Sequence, residues 1–494
     1  MINSILELKP ENIWKHFYAL TQIPRPSGHM EKITGYVENF GKSLGLETIR
    51  DTANNICIRK PATQGYENRQ TIILQSHLDM VPQSNSDTKF DFSKDAIQAY
   101  IDNGWVKAKG TTLGADNGIG VAATMAILEA TDLQHGPLEG LFTTDEETGM
   151  FGALAVRPGF INGKIMLNLD SESDEELCIG CAGGEDVSVA FLYENETVAF
   201  QKPIVVKISL KGLKGGHSGV DIHLGRANAN KLIFRFLKDA MLKQGARLIS
   251  IQGGTLRNAI PREAFATIAI DGEANYHSIM KLVDYYQDVF IKEFDGIEEA
   301  IELKAERQVN PEEPVKAIPF EIQQKLTHAI TCCQNGVINW FARIQGTVET
   351  SVNMAIVQSS EQLIEVKFLA RSSSETKKHA ICSSIESAFI NAGANQVACG
   401  NGYPGWDPNP DSSILNVMKK VFKKQRSHFP KIEVIHAGLE CGIILSSVPG
   451  LDTVSLGPTI QFPHSPDEKV EIASVQKFWD YLVCILKEAP EKKL

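Results

Sequence analysis

Five short stretches of this 494-residue chain place histidines and carboxylates where a fold can use them for chemistry. Gln75-Ser76-His77-Leu78-Asp79 closes an apolar run, and residues two apart in an extended segment face the same side. An imidazole at His77 can then bind a metal while the Asp79 carboxylate fixes its orientation. Asp116, in Gly114-Ala115-Asp116-Asn117-Gly118, stands just before an apolar helical stretch, a position that suits an N-cap as well as a ligand. Asp145-Glu146-Glu147 follows the run that ends Thr143-Thr144. Three adjacent like charges repel, so the cluster calls for a bound cation or else full solvation as an acidic turn. Asp170 ends the run Leu167-Asn168-Leu169, and His464 lies in Phe462-Pro463-His464-Ser465-Pro466. Imidazoles and carboxylates without thiolates suit Zn²⁺, Co²⁺ or Mn²⁺.

Positioning these residues requires a sheet whose strands end at one edge. Apolar runs at 55–59, 71–76, 105–107, 138–144 and 164–169, with a helix at 117–130 among them, predict an α/β fold: a parallel sheet with helices on its faces. Such sheets bind ligands outside the carboxyl ends of their strands. Cys181-Ala182-Gly183-Gly184 marks a change of character, and residues 203–210 then alternate as a half-buried strand does. The α/β pattern returns after Gly402-Tyr403-Pro404-Gly405. The expected organisation is a catalytic domain at 1–186 and 403–494, split by an inserted α+β lid at 187–402. The lid reads as duplicated. Residues 254–258 precede the alternating strand 264–270, residues 350–353 precede 362–370, and a helix follows each strand.

Charge and cysteine content narrow the function classes. With 49 Lys and Arg against 60 Asp and Glu, the net charge is −11. That argues against nucleic acid or an anionic membrane as partner, since both need a clustered basic surface. No apolar run is long enough to span a bilayer, and the N-terminus lacks the pattern of a secretory signal. Nine scattered cysteines fit reduced thiols in a cytoplasmic protein. Cys178 and Cys181 form one CxxC, without the second pair a structural zinc site needs.

Taken in order, the motifs resemble one family: the dinuclear metallopeptidases that include glutamate carboxypeptidase, aminoacylase, peptidase T and carnosine-type dipeptidases. The likeness runs from Pro26-Ser27-Gly28 to the last helix. GADNG (114–118), HAGLECG (436–442) and FPHSPDE (462–468) are most similar to the family's bacterial aminoacyl-histidine dipeptidase branch. The resemblance implies a zinc-peptidase-like three-layer α/β/α catalytic domain with two divalent ions per chain, zinc foremost, with cobalt or manganese as alternatives. It implies that His77 and Asp170 hold one ion, Glu147 and His464 the other, and that Asp116 bridges them. Asp79 would orient His77, and Glu146 would be the general base. Two such ions about 3.5–4 Å apart share a water and lower its pKa towards neutrality.

The same resemblance gives roles in the lid. His217, in Gly215-Gly216-His217-Ser218-Gly219, would donate to the oxyanion; apart from the family, the segment reads equally as a glycine-rich turn with a surface histidine. Asn258 and Arg371 would bind the substrate's carbonyl and terminal carboxylate, Arg371 being otherwise a strand-end charge. His436 and Glu440 belong to HAGLECG, and Glu440 either holds the substrate's α-amino group or is structural. Asn117 and Gly118 stand where many relatives carry a second acid and a lysine. The implied reaction is hydrolysis of unblocked dipeptides, those of the Xaa-His type among them. A deacylase or aminotripeptidase on the same site is the alternative. The expected partner is a small peptide, with one chain carrying a complete site and a homodimer left open.

Overall fold

Strands covered on both faces are mostly apolar, and the first part of this protein is built on such strands. The computed structural model describes residues 4–309 and 314–492. The chain divides into two compact units. One comprises Met1–Gly180, Trp406–Val434 and Leu439–Leu494, the other Cys181–Gly405 and Ile435–Gly438. The breaks expected after 186 and 402 thus fall after 180 and 405. Ile435–Gly438, expected in the first unit, belongs to the second, where the Ala182 N–H donates to the Ile435 carbonyl at 2.9 Å.

The sheet of the first unit has eight strands, in the order Glu47–Arg50, Ile56–Lys60, Leu138–Thr143, Ile72–His77, Ile165–Asn168, Asp452–Ser455, Glu176–Cys181 and Lys431–Ile435. The run from Leu138–Thr143 to Asp452–Ser455 is parallel. Leu138–Thr143, Ile72–His77 and Ile165–Asn168 are buried at every residue. Because they are parallel, the segments that follow them emerge at one edge.

Two strands depart from the expected parallel sheet. Ile56–Lys60 completes a hairpin begun by Glu47–Arg50 and runs antiparallel to Leu138–Thr143. Trp105–Ala108 leaves the sheet altogether. It pairs with Ala99–Asp102 across Asn103 and Gly104, whose φ angles are 47° and 84°. Two left-handed residues are what a two-residue hairpin turn requires. This hairpin joins Ile460–Gln461 and Lys469–Glu471 in a small separate sheet.

Helix Ala115–Glu129 buries every residue from Asn117 to Leu128, as a helix apolar all round must. Helix Ser413–Arg426 starts at Ser412, whose hydroxyl accepts the Leu415 N–H at 3.0 Å. It buries Ile414, Leu415, Met418, Val421 and Phe422 at helical spacing. Phe422 meets Tyr481 of helix Ile472–Lys487 edge-on at 5.4 Å.

The second unit carries a long antiparallel sheet. Its path is Glu302–Arg307, Pro203–Lys211, Ala264–Asp271, Arg247–Gly253, Val348–Ser359, Leu363–Ser372, Gly183–Leu192 and Gln396–Tyr403. The two halves of that path share one order of elements. Strand Pro203–Lys211, helix Ala229–Gln244, paired strands Arg247–Gly253 and Ala264–Asp271, helix Gly272–Glu293 and edge strand Glu302–Arg307 form one half. Strand Gly183–Leu192, helix Phe320–Cys332, paired strands Val348–Ser359 and Leu363–Ser372, helix Glu375–Asn391 and edge strand Gln396–Tyr403 form the other. The halves join where Gln252 and Gly253 pair with Gln358 and Val357. Residues 350–353, expected to match the loop at 254–258, lie instead inside strand Val348–Ser359.

Alternate residues of these strands and the four helices close one core around Phe191, Phe234, Phe236, Phe290, Phe368 and Phe389. Phe389 is fully buried and lies edge-on to Phe368 at 5.7 Å. Phe389→Ala should therefore lower the unfolding free energy by about 3–5 kcal/mol, measurable by urea denaturation.

Candidate metal centre

The edge of the first unit's sheet begins with His77, the last residue of its strand and 1% exposed. Its Nδ1 lies 3.4 Å from Asp79 Oδ1, while its Nε2 lies 3.1 Å from Asp116 Oδ1 and 3.4 Å from Asp170 Oδ1. The ring is thus held on one side by Asp79 and presented on the other to two carboxylates. Asp79 also accepts the Ser27 hydroxyl at 2.7 Å and the N–H groups of Glu146 and Glu147 at 3.0 and 3.2 Å. Burial opposes ionisation of Asp79, but His77, Ser27 and the Glu146 N–H bring its carboxyl down to about 2. One charged side chain therefore fixes the His77 ring and the backbone of the acidic turn.

Asp116 is not an N-cap. Gly114 occupies the cap position, and Asp116 and Asn117 have non-helical backbone angles at the start of the helix. The two oxygens of Asp116 diverge: Oδ1 meets His77, and Oδ2 meets His464 Nε2 at 3.1 Å. Asn117, which stands in place of an acid, donates from Nδ2 to the Leu169 carbonyl at 2.6 Å and so ties this loop to the segment carrying Asp170.

Two residues outside the expected set hold the loop. Glu468 accepts the N–H groups of Leu113, Gly114, Ala115 and Asp116 at 2.7, 2.9, 2.7 and 3.2 Å. Arg25, 2% exposed, donates to the carbonyls of Leu78 and Asp79 at 2.9 Å each and to Gly114 at 2.5 Å. Arg25 thereby links the loop that carries Asp79 to the loop that carries Asp116. A Cβ on Gly114 or Gly118 would come within 2.5 or 2.7 Å of that guanidinium, which explains glycine at both positions.

The acidic turn supplies the remaining groups. Asp145, at φ 52°, turns away and accepts the Gly28 N–H at 2.6 Å. Glu147 Oε2 lies 3.0 Å from His464 Nε2. Ligand-type atoms gather within 4.8 Å of one another in three overlapping sets: His77, Asp116 and Asp170; His77, Glu146 and Glu147; Asp116, Glu147 and His464. Glu147 Oε1 and Asp170 Oδ1 are buried without a hydrogen-bond partner. By themselves these groups balance their charge by taking up protons. Burial raises Asp170 to about 7, His77 opposing and the Asp116 and Glu147 carboxylates adding to the rise. Hydrogen bonds to the Asp116 and Glu147 carboxylates push His464 up to about 11. Burial, with the charges of Asp170, Glu440 and Glu147, raises Glu146 well above the carboxylate range against the pull of His77. Divalent cations displace protons from ligands of this kind, so the donor set fits a metal centre.

Beneath the edge runs a layer of buried polar side chains. Gln75 donates to Glu440 Oε2 at 2.6 Å, and Thr143 donates to the same oxygen at 2.7 Å. Asn168 donates to Gln75 Oε1 at 2.6 Å, and the Ser455 hydroxyl donates to Asn168 Oδ1. Glu440 is 2% exposed, and burial raises its carboxyl to about 7. Gln75 and Asn168 each sit two residues before a candidate ligand, so this layer was signalled by polar residues within otherwise apolar strands.

The other expected residues lie in the second unit. His217 closes a two-residue strand paired with Ala259–Ile260. Its Nδ1 accepts the N–H groups of Gly219 and Val220 at 3.2 and 3.0 Å, which leaves the ring proton on Nε2. Burial and the Arg371 charge lower its pKa and keep it neutral. Arg371 is 4% exposed and donates to the Tyr403 hydroxyl at 2.7 Å. His436 bonds through Nε2 to Ser351 Oγ at 2.7 Å, and burial with the Arg371 charge lowers it to about 3. Asn258 is exposed. Cys178 and Cys181 lie in strand Glu176–Cys181, where the Cys178 thiol donates to the Gly180 carbonyl at 3.2 Å; neither is in a metal-type cluster among the described residues.

A sheet edge that gathers histidines and carboxylates into overlapping ligand-type sets suits a metal-dependent hydrolase. The chain belongs to peptidase family M20/M25/M40, whose model matches residues 73–488. It is 42% identical over 493 residues to the cytosol non-specific dipeptidase of Escherichia coli, covering 99% of this chain and all of that one. The crystal structure of aminoacylhistidine dipeptidase from Vibrio alginolyticus superposes with a TM-score of 0.94 at 43% identity, covering 99% of each chain. The aminopeptidase PepT from Bacillus cereus shares the fold, with a TM-score of 0.56 at 18% identity over 97% of this chain and 99% of that one. Among the described residues, no helix is long and apolar enough to cross a membrane.

If Glu468 shapes the Asp116 loop, Glu468→Gln should weaken divalent metal binding by about 10-fold or more, in the range of losses seen when groups behind metal ligands are changed. Competition with a chromogenic chelator measures this directly.

Proposed function

We propose that this chain hydrolyses unblocked dipeptides, including those with C-terminal histidine, at two divalent ions, zinc foremost. The observation that carries the proposal is Asp116, whose two oxygens each stand 3.1 Å from a different imidazole. A carboxylate so placed suits two cations, one with His77 and Asp170, the other with Glu147 and His464. The dipeptidase names of the Escherichia coli and Vibrio alginolyticus relatives support the substrate class, and the first supports a cytosolic location and a broad range of side chains.

When bound, such ions acidify water and polarise a carbonyl. The residues of the chain do the rest. Glu146 takes a proton from the attacking water and gives it to the departing amine nitrogen as the C–N bond breaks. Asp79 keeps the His77 ring oriented and the backbone of Glu146 in place. His217, neutral with its proton on Nε2, donates to the carbonyl oxygen as negative charge develops there. Arg371, its guanidinium oriented by Tyr403, binds the substrate's terminal carboxylate, for which a planar two-pronged donor is suited. Asn258 binds the substrate carbonyl. His436, already bonded through Nε2 to Ser351, shapes the pocket rather than moving protons. Glu440 supports the edge, its Oε2 accepting from Gln75 and Thr143.

Glu146→Gln should retain two metal ions per chain by elemental analysis while turnover of a dipeptide panel falls by about 10²–10⁴-fold. Chelation should abolish activity and zinc should restore it. Near-normal turnover by Glu146→Gln, or equal turnover of N-acylated amino acids, would overturn the reading.

A further inference from the structure

Two of the residues proposed to face substrate in the second unit, His217 and Asn258, are held through a neighbour for which the mechanism above has no use. Asn353 is 1% exposed and lies in strand Val348–Ser359. Val352 and Met354, on either side of it, pack into the core, so Asn353 faces away from that core, on the same side as Ser351. Its Nδ2 donates to the Ala259 carbonyl at 2.8 Å and reaches the Arg257 carbonyl at 3.4 Å. Those two carbonyls flank Asn258. Ala259 in turn pairs with His217, and the Asn258 carbonyl accepts the Ser218 N–H at 2.7 Å.

The orientation of the Asn353 carboxamide is itself determined. Its Oδ1 accepts Asn228 Nδ2 at 3.2 Å, and that same nitrogen lies 3.0 Å from Asn335 Oδ1 and 3.1 Å from the Met354 carbonyl. Asn228 has no freedom to turn, because its own oxygen caps helix Ala229–Gln244 by accepting the Lys231 N–H at 3.2 Å. With Oδ1 thus engaged, Nδ2 must point at the loop. A buried amide that donates to both sides of one exposed residue sets where that residue stands.

We propose that Asn353 is a positioning residue that sets Asn258 directly and His217 through the paired strand Ala259–Ile260. The inference rests on the substrate-facing roles proposed for those two residues. Asp at 353 keeps the shape but replaces the donor with an acceptor, so both carbonyls would face an oxygen. Ser removes the donor without adding charge. A misplacement of about 1 Å can cost about 100-fold in rate, and among the described residues no metal-type cluster includes a residue of this unit.

The test uses the zinc-loaded full-length chain and one unblocked alanyl-histidine dipeptide. Asn353→Asp and Asn353→Ser should each lower kcat/KM by about 10–100-fold, mostly in kcat, with zinc content unchanged. In a background carrying both His217→Ala and Asn258→Ala, adding Asn353→Ser should cost less than threefold further. Wild-type kinetics in both Asn353 variants would overturn the proposal. So would full multiplication of the Asn353→Ser loss in that background, the mark of a merely structural role. Should the Asp variant fail to fold, the Ser variant, alone and in that background, decides the matter. If His217→Ala and Asn258→Ala both keep wild-type activity, the roles given to those residues fail, and a loss at Asn353 then overturns its action through them. If those two lose activity while Asn353 variants keep it, the positioning inference alone fails.

Discussion

Four backbone N–H groups directed at one buried carboxylate hold the edge of the first unit in shape. Glu468 gathers the N–H groups of residues 113–116, and Arg25 gathers the carbonyls of Leu78, Asp79 and Gly114. A buried charge without a partner is costly, yet here each charge is satisfied mainly by main-chain dipoles. The loop between them cannot relax, so Asp116 keeps its oxygens turned towards two imidazoles. Asp79 works in the same way on the acidic turn. Like charges are brought close by fixing the backbone that carries them, not by attraction among the side chains.

The second unit solves a similar problem with neutral groups. The buried Asn228 and Asn353 form an amide cluster with the half-buried Asn335, and the N–H groups of Gly219 and Val220 settle the His217 tautomer. Neutral donors suit the peptide carbonyl proposed as their partner, whereas carboxylates suit the cations proposed for the first unit's edge. Arg371 is the exception. It is buried beside His217 and His436, and its charge helps keep both imidazoles neutral.

Much of this edge was legible in the sequence because its residues follow mostly apolar strands. His77, Glu146, Glu147 and Asp170 are visible for that reason. The resemblance to a metallopeptidase family arranged the same positions into roles. What was not legible acts over long sequence separations. Glu468 contacts residues more than 350 positions earlier, and although it closes the FPHSPDE motif, nothing in that motif shows which backbone it meets. Arg25, between Pro24 and Pro26, carries no local sign of the carbonyls at 78, 79 and 114 that it meets. Trp105–Ala108 was read into the main sheet because three apolar residues do not reveal their partner, although Asn103-Gly104 is a recognisable hairpin turn. The apparent match between 254–258 and 350–353 paired a loop with a strand. The Asn353 side chain nonetheless grips that very loop.

The small excursion Ile435–Gly438 bears on how such a protein can be inherited or rearranged. Four residues of the second unit are encoded far from the rest, directly ahead of the helix that begins with Glu440. A gene exchange that moved residues 181–405 as one cassette would leave His436, with its bond to Ser351, in the recipient's sequence. The two units therefore form separate bodies but not separate modules. Recombination between relatives is constrained to carry both stretches together, or to find a histidine already waiting at the second.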